Sequence, residues 1–260
     1  DYSGSRGLGD VYKRQPLPLI LILITSVINS QTFIQAGSLK DLKLSPKIAI
    51  AGGGTPMDWA NLEKYKNNNE ELIKVPDENR VVFMGNSITE NWSLYSKDFF
   101  IDNPFINRGI GGQTSPQMLI RFRSDVVNLK PKSVVIMAGT NDIAGNTGPI
   151  SIENTAENIF SMAEIAIANN IKVFICSTLP AIDFPWSPGL EPAQKIIKLN
   201  SILKSYCSKN DATYVDYYYS MSDSKGGLKV PEYTAENDLV HPNVAGYKEM
   251  ERIILSSLKL

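Results

Sequence analysis

A chain of 260 residues, 43% apolar and 20% charged, has the composition of an ordinary globular protein and can bury a sizeable core. Its formal charge of −1 gives no electrostatic case for nucleic acid or an anionic membrane as a partner. One histidine and two cysteines make neither a disulfide framework nor a Cys/His zinc cluster, so no metal site is expected; no organic cofactor is expected either.

The first segment, residues 1–15, ends in Asp10-Val11-Tyr12-Lys13-Arg14-Gln15. That hexapeptide matches the in-frame translation of a transposase adapter used in sequencing libraries, so residues 1–15 are set aside as an artefact of cloning or assembly. Residues 16–30 then read as the remnant of a secretory signal peptide. Their apolar run, 16–28, is too short for a comfortable membrane span and is followed at once by Asn29, Ser30 and Gln31. No cysteine follows to carry a lipid. An exported protein, periplasmic or secreted and with no stable membrane partner, is the expectation; a membrane anchor is the alternative.

Residues 31–79 form an N-terminal extension. Gly52-Gly53-Gly54 reads as a loop, because no Lys-Ser/Thr follows to complete a phosphate cradle. Trp59–Leu72 has the period of an amphipathic helix, with Trp59, Leu62, Tyr65 and Leu72 facing the core.

From residue 80 onward, short apolar runs alternate with helical patterns. Arg80–Met84, Pro104–Asn107, Ser133–Ala138, Ile171–Ser177 and Thr213–Asp216 read as strands. Helices are expected after Ser87 and over Ser115–Leu129, Ile152–Ala168, Pro192–Ser208 and Val244–Leu258. This alternation predicts an α/β protein, a parallel sheet of about five strands between two helical layers. Cys176 and Cys207 both fall in buried patterns, as free thiols.

Four motifs carry chemistry. Ser87 follows the first strand, where a hydroxyl points into the crevice beyond the strand ends; it could equally be a plain helix N-cap. Gly111-Gly112, after the second strand, lets the backbone approach a substrate and offer an N–H, or is a simple turn. Asn141, after the third, can donate its amide to a developing oxyanion or serve as an ordinary turn residue. Asp238 and His241 stand three residues apart before the last helix, a spacing that on one turn puts both side chains on one side. Asp238 can then orient His241 as a base. The glycine and serine pattern Gly85-Asn86-Ser87-Ile88-Thr89 is not the nucleophile elbow of the α/β-hydrolases, since Thr89 stands where a second glycine belongs.

With these four blocks in this order, residues 80–260 resemble the SGNH hydrolase superfamily, the GDSL esterases and lipases. Ser87, Gly112, Asn141 and His241 match its four named residues, and Asp238 matches its D-x-x-H aspartate. The segments 83–89 and 107–114 look most like the branch related to platelet-activating-factor acetylhydrolase, close to Bacteroidetes carbohydrate esterases. The resemblance implies a flavodoxin-like three-layer α/β/α fold with strand order 2-1-3-4-5. It also implies a serine esterase with a catalytic triad of Ser87, Asp238 and His241, and an oxyanion hole formed by Ser87, Gly112 and Asn141. Asn86 and Gln113 depart from the family, each standing where an aspartate is usual.

The loop Leu179–Pro192 lies at the expected catalytic edge. Phe184 and Trp186 there, with Trp92, are candidates for substrate contact, since aromatic faces suit sugar stacking. The expected substrate is a small-molecule or oligosaccharide ester, with acetyl on a carbohydrate foremost. A lipid esterase or thioesterase, an acyltransferase and an inactive carbohydrate-binding domain are the alternatives. The sequence carries no signal of oligomeric state.

Overall fold

The computed structural model describes residues 50–259; the readings made for residues 1–15, 16–30 and 31–49 lie outside them. Five parallel strands form one sheet in the order β2-β1-β3-β4-β5. They are β1 (Val81–Gly85), β2 (Phe105–Gly109), β3 (Ser133–Met137), β4 (Lys172–Cys176) and β5 (Ala212–Val215). This is the doubly wound order that the family resemblance implied.

Strand geometry sorts the core into two layers, because successive side chains point to opposite faces. Val82, Met84, Val134, Ile136, Val173 and Ile175 face one cluster, and Val81, Phe83, Val135, Met137, Phe174 and Cys176 face the other. Each face is covered by helices, so β1 and β3 are buried at every position. Burying one such side chain stabilises the fold by about 1.5–3 kcal/mol.

The first face is covered by α4 (Ser115–Asp125), α6 (Ile152–Ala168) and α7 (Ala193–Cys207), through Met118, Phe122, Ile159, Met162, Leu199 and Leu203. The second is covered by α2 (Ser87–Tyr95), α3 (Lys97–Ile101), α8 (Tyr217–Met221) and α9 (Val244–Leu258), through Ile88, Phe99, Met221, Tyr247 and Ile254. Among the described residues, no helix is long and apolar enough to cross a membrane.

Two expectations change here. The helix expected over Trp59–Leu72 is only α1, Lys66–Lys74. Asp58 accepts hydrogen bonds from the N–H groups of Leu62 and Glu63, and Asn61 takes a left-handed φ of 55°, so turns replace the first half of that helix. Trp92, a candidate for substrate contact, is instead a core residue. It is 1% exposed, stacks on Phe99 with ring centroids 5.2 Å apart, and donates its N–H to Glu251 at 3.3 Å. Both cysteines are buried and free, as expected.

Candidate active site

Ser87 is placed by the end of β1 and the start of α2. Asn86 is the N-cap of α2, and its side-chain oxygen accepts from the Ile88 N–H at 3.1 Å. The cap role open to Ser87 is therefore taken by its neighbour. An asparagine oxygen serves that role as an aspartate would, which accounts for the tolerance of Asn86 at this position. The Ser87 hydroxyl instead lies 2.9 Å from His241 Nε2.

His241 is held from the other side of its ring. Its Nδ1 is 2.9 Å from Asp238 Oδ1 and 3.1 Å from Oδ2. The same Oδ1 accepts the backbone N–H groups of Val240 at 3.2 Å and His241 at 2.8 Å. Asp238 and His241 do not share a helical turn. They flank a tight loop in which Leu239 has a φ of 66°, and Thr234 Oγ1 donates to the His241 carbonyl at 2.8 Å. With Asp238 accepting from Nδ1–H, Nε2 is left with a lone pair facing the Ser87 hydroxyl.

The hydrogen-bond donors come from neighbouring strand ends, since Gly85 pairs with Gly109 on one side and Met137 on the other. Gly112 follows β2 with a φ of 77°, and a Cβ there would come 3.1 Å from the Gly52 N. Only glycine meets both demands cheaply. Its N–H meets no acceptor among the described residues, while its carbonyl accepts from Asn146 Nδ2 at 3.1 Å. Asn141 lies in α5 (Thr140–Ile143), buried, with one amide N–H donated to the Gln113 carbonyl at 2.9 Å. Among the described residues, the second N–H of that amide meets no acceptor.

Of the three aromatic candidates, one presents surface at the site. Trp186 is 44% exposed and its ring centroid lies 6.2 Å from that of His241. Phe184 is fully buried behind it, with centroids 5.3 Å apart. The Trp186 indole N–H donates to Asn146 Oδ1 at 3.0 Å. Asn146 thus links this aromatic wall to the Gly112 carbonyl. Trp92 lies in the core and contributes no surface.

Sequence reasoning missed the supports beneath the site. Arg121 is fully buried; its Nη1 pairs with Asp125 at 2.9 Å, its Nη2 donates to the Gly85 carbonyl at 2.9 Å, and its Nε donates to Gln113 Oε1 at 2.6 Å. It ties the end of β1, next to Ser87, to the Gly112 loop, and burial pulls the guanidinium's pKa below its ordinary value. Gln113, in place of the family's aspartate, uses its other end to donate to the Ala60 carbonyl at 2.7 Å. Asp142 accepts the Ser115 N–H at 2.9 Å and its hydroxyl, fixing the start of α4; burial pushes its carboxyl pKa up against the pull of those donors. The signal available was a charged i, i+4 pair, Arg121 and Asp125, on the apolar face of a helix. Among the described residues, no cluster of His, Cys, Asp or Glu could hold a metal ion.

The model of the GDSL-like lipase/acylhydrolase family matches residues 83–249. The chain is 53% identical to a candidate acylhydrolase of known structure from Bacteroides fragilis, with a TM-score of 0.74, covering 78% of this chain and 97% of that one. It is 29% identical to the uncharacterised lipoprotein YqeF of Bacillus subtilis over 53% of this chain and 64% of that one. It is 30% identical to human platelet-activating factor acetylhydrolase IB subunit alpha2 over 50% of this chain and 54% of that one. The matched region therefore spans between about half and two thirds of these curated relatives. The match across most of the strand–helix domain, together with the strand order, establishes that this chain belongs to the GDSL-like lipase/acylhydrolase family.

Proposed function

We propose that the protein is a serine esterase that removes short acyl groups, acetyl above all, from carbohydrate esters. The observation that carries this reading is the relay from Ser87 Oγ to His241 Nε2 at 2.9 Å and from His241 Nδ1 to Asp238 at 2.9 Å. Ser87 Oγ attacks the ester carbonyl as His241 Nε2 takes its proton. Negative charge gathers on the carbonyl oxygen, where the N–H groups of Ser87 and Gly112 and the Asn141 amide receive it. The intermediate collapses, the C–O bond to the alcohol breaks, and His241 returns the proton to the leaving oxygen. Water, deprotonated by His241, then cleaves the acyl-enzyme and regenerates Ser87. Asp238 keeps His241 in the tautomer that each step needs. No metal is called for.

The sugar assignment rests on Trp186, a rigid aromatic face beside His241 backed by Phe184. The short acyl group is supported by a relative whose name is acetylhydrolase. Export, read from residues 16–28, would place the enzyme where polysaccharide fragments occur.

Ser87→Ala and His241→Ala are each expected to lower kcat for p-nitrophenyl acetate by at least about 10³ with the fold intact. Across acetate, butyrate and octanoate esters, kcat/KM should fall with chain length, and acetylated xylan or pectin fragments should release acetate. Near-full activity in His241→Ala would sink the mechanism, because no other imidazole exists in the chain. A profile rising toward octanoate, with no acetate released from any glycan, would replace the sugar reading with a lipid one.

A further inference from the structure

The loop that offers the Gly112 N–H is gripped from outside the strand–helix core. Lys64, in the turn before α1, forms an ion pair with Glu90 of α2. The other carboxylate oxygen of Glu90 accepts the Gly111 N–H at 2.6 Å. Next to Lys64, the Tyr65 hydroxyl donates to the Gly109 carbonyl, and the Arg108 guanidinium lies 4.6 Å over the Tyr65 ring. Arg108 in turn donates to Asn68 and Asn69 of α1 at 2.7 Å. The segment 64–69 is therefore fixed at several points against the end of β2, from which the loop starts, and that fixation delivers Lys64 to Glu90.

We propose that Glu90, neutralised by Lys64, is a positioning residue for the oxyanion loop. This rests on the serine-esterase reading above. With the Gly111 N–H held by Glu90 and the Gly112 carbonyl held by Asn146, the groups on both sides of the Gly112 N–H are pinned. That pinning keeps the N–H available to a substrate oxygen, and among the described residues it meets no competing acceptor. The charge of Glu90 makes the Lys64 partner necessary. A carboxylate bonded to the amide one residue before Gly112 opposes negative charge developing on the substrate oxygen, and a cation on its far oxygen cancels that field. Glu90 and Lys64 touch no reacting atom. They act through Gly111.

The test measures kcat and KM for p-nitrophenyl acetate in Lys64→Met, Glu90→Ala, Glu90→Gln and the double variant Lys64→Met/Glu90→Gln. Lys64→Met leaves an uncancelled carboxylate and is expected to lower kcat about tenfold, with KM changed by less than about twofold. Glu90→Gln in the Lys64→Met background removes the charge while keeping an acceptor for Gly111, and should recover most of that loss. Glu90→Ala, which removes the acceptor, should lose about tenfold or more in kcat. The recovery separates positioning from simple folding support, since the double variant lacks the ion pair yet regains turnover. If Glu90→Ala does not fold, the Lys64→Met pair decides alone. Ser87→Ala is assayed in parallel. An inactive Ser87→Ala with Lys64→Met at parental kcat, or with no recovery in the double variant, overturns the positioning role alone. An active Ser87→Ala overturns both it and the esterase reading.

Discussion

Replacing Arg121 with methionine should cost stability out of proportion to a single side chain. Arg121 and Asp125 form an ion pair with side chains 0% and 1% exposed. Removing the cation leaves the Asp125 carboxylate buried without its countercharge, a change that costs about 3–5 kcal/mol. Two features place this case at the lower end. Asp125 keeps the Asn69 amide at 2.7 Å, and the Gly85 carbonyl keeps the Ile110 N–H at 3.1 Å. Gln113 Oε1 loses its Arg121 donor, adding a smaller penalty. A loss of about 3 kcal/mol follows, which for a domain of this size lowers Tm by roughly 6–12 °C. Urea denaturation with an unchanged m-value, together with calorimetry, measures it. Arg121→Met/Asp125→Leu removes both charges and should regain at least about half the loss. A loss under about 1 kcal/mol for Arg121→Met, or a double variant less stable than the single, would refute the reasoning that an uncompensated charge is the cause.

Gly109→Ala should damage fold and activity together, because the new methyl would stand 2.1 Å from the Glu90 backbone N and 2.6 Å from its Cα, in the helix that begins at Ser87. A cost of about 1–3 kcal/mol and reduced turnover of p-nitrophenyl acetate are expected, and parental behaviour in both assays would show that the strand and α2 are not in the close contact described. Burial pushes the Cys176 thiol pKa from its ordinary 9.0 up to about 12, and that of Cys207 up to about 11. Ellman's reagent at pH 8 should therefore leave both untouched in the folded protein and titrate both in urea; rapid native labelling contradicts this. Because both folded-state values are raised, their stabilising contribution is whole below pH 9.0 and is lost as pH climbs through about 11–12. The urea midpoint should fall across that window.

Much of the architecture was fixed by local sequence. The Val- and Ile-rich runs could be buried on both faces only as parallel strands, and the helices over 152–168 and 244–258 have the bounds their periodicity predicts. Three of the four motifs stand at strand ends and the fourth just before α9; they were legible because the chemistry proposed for them calls for particular residue types: a hydroxyl, a glycine, an amide and the chain's single imidazole. What remained hidden depends on long-range packing. Nothing in the period of Trp59–Leu72 reveals that Asp58 would claim the Leu62 and Glu63 amides and unwind its first half. Trp92 and Trp186 are alike as letters, but one fills the space between Phe99 and Tyr247 and the other stands open beside His241. Arg121 shows the same limit, since a buried cation is tolerable only where Asp125, Gln113 and the Gly85 carbonyl converge on it. Sequence specified which groups could do chemistry. Only the folded chain decided which of them meet, because burial and hydrogen-bond partners belong to residues distant along the chain.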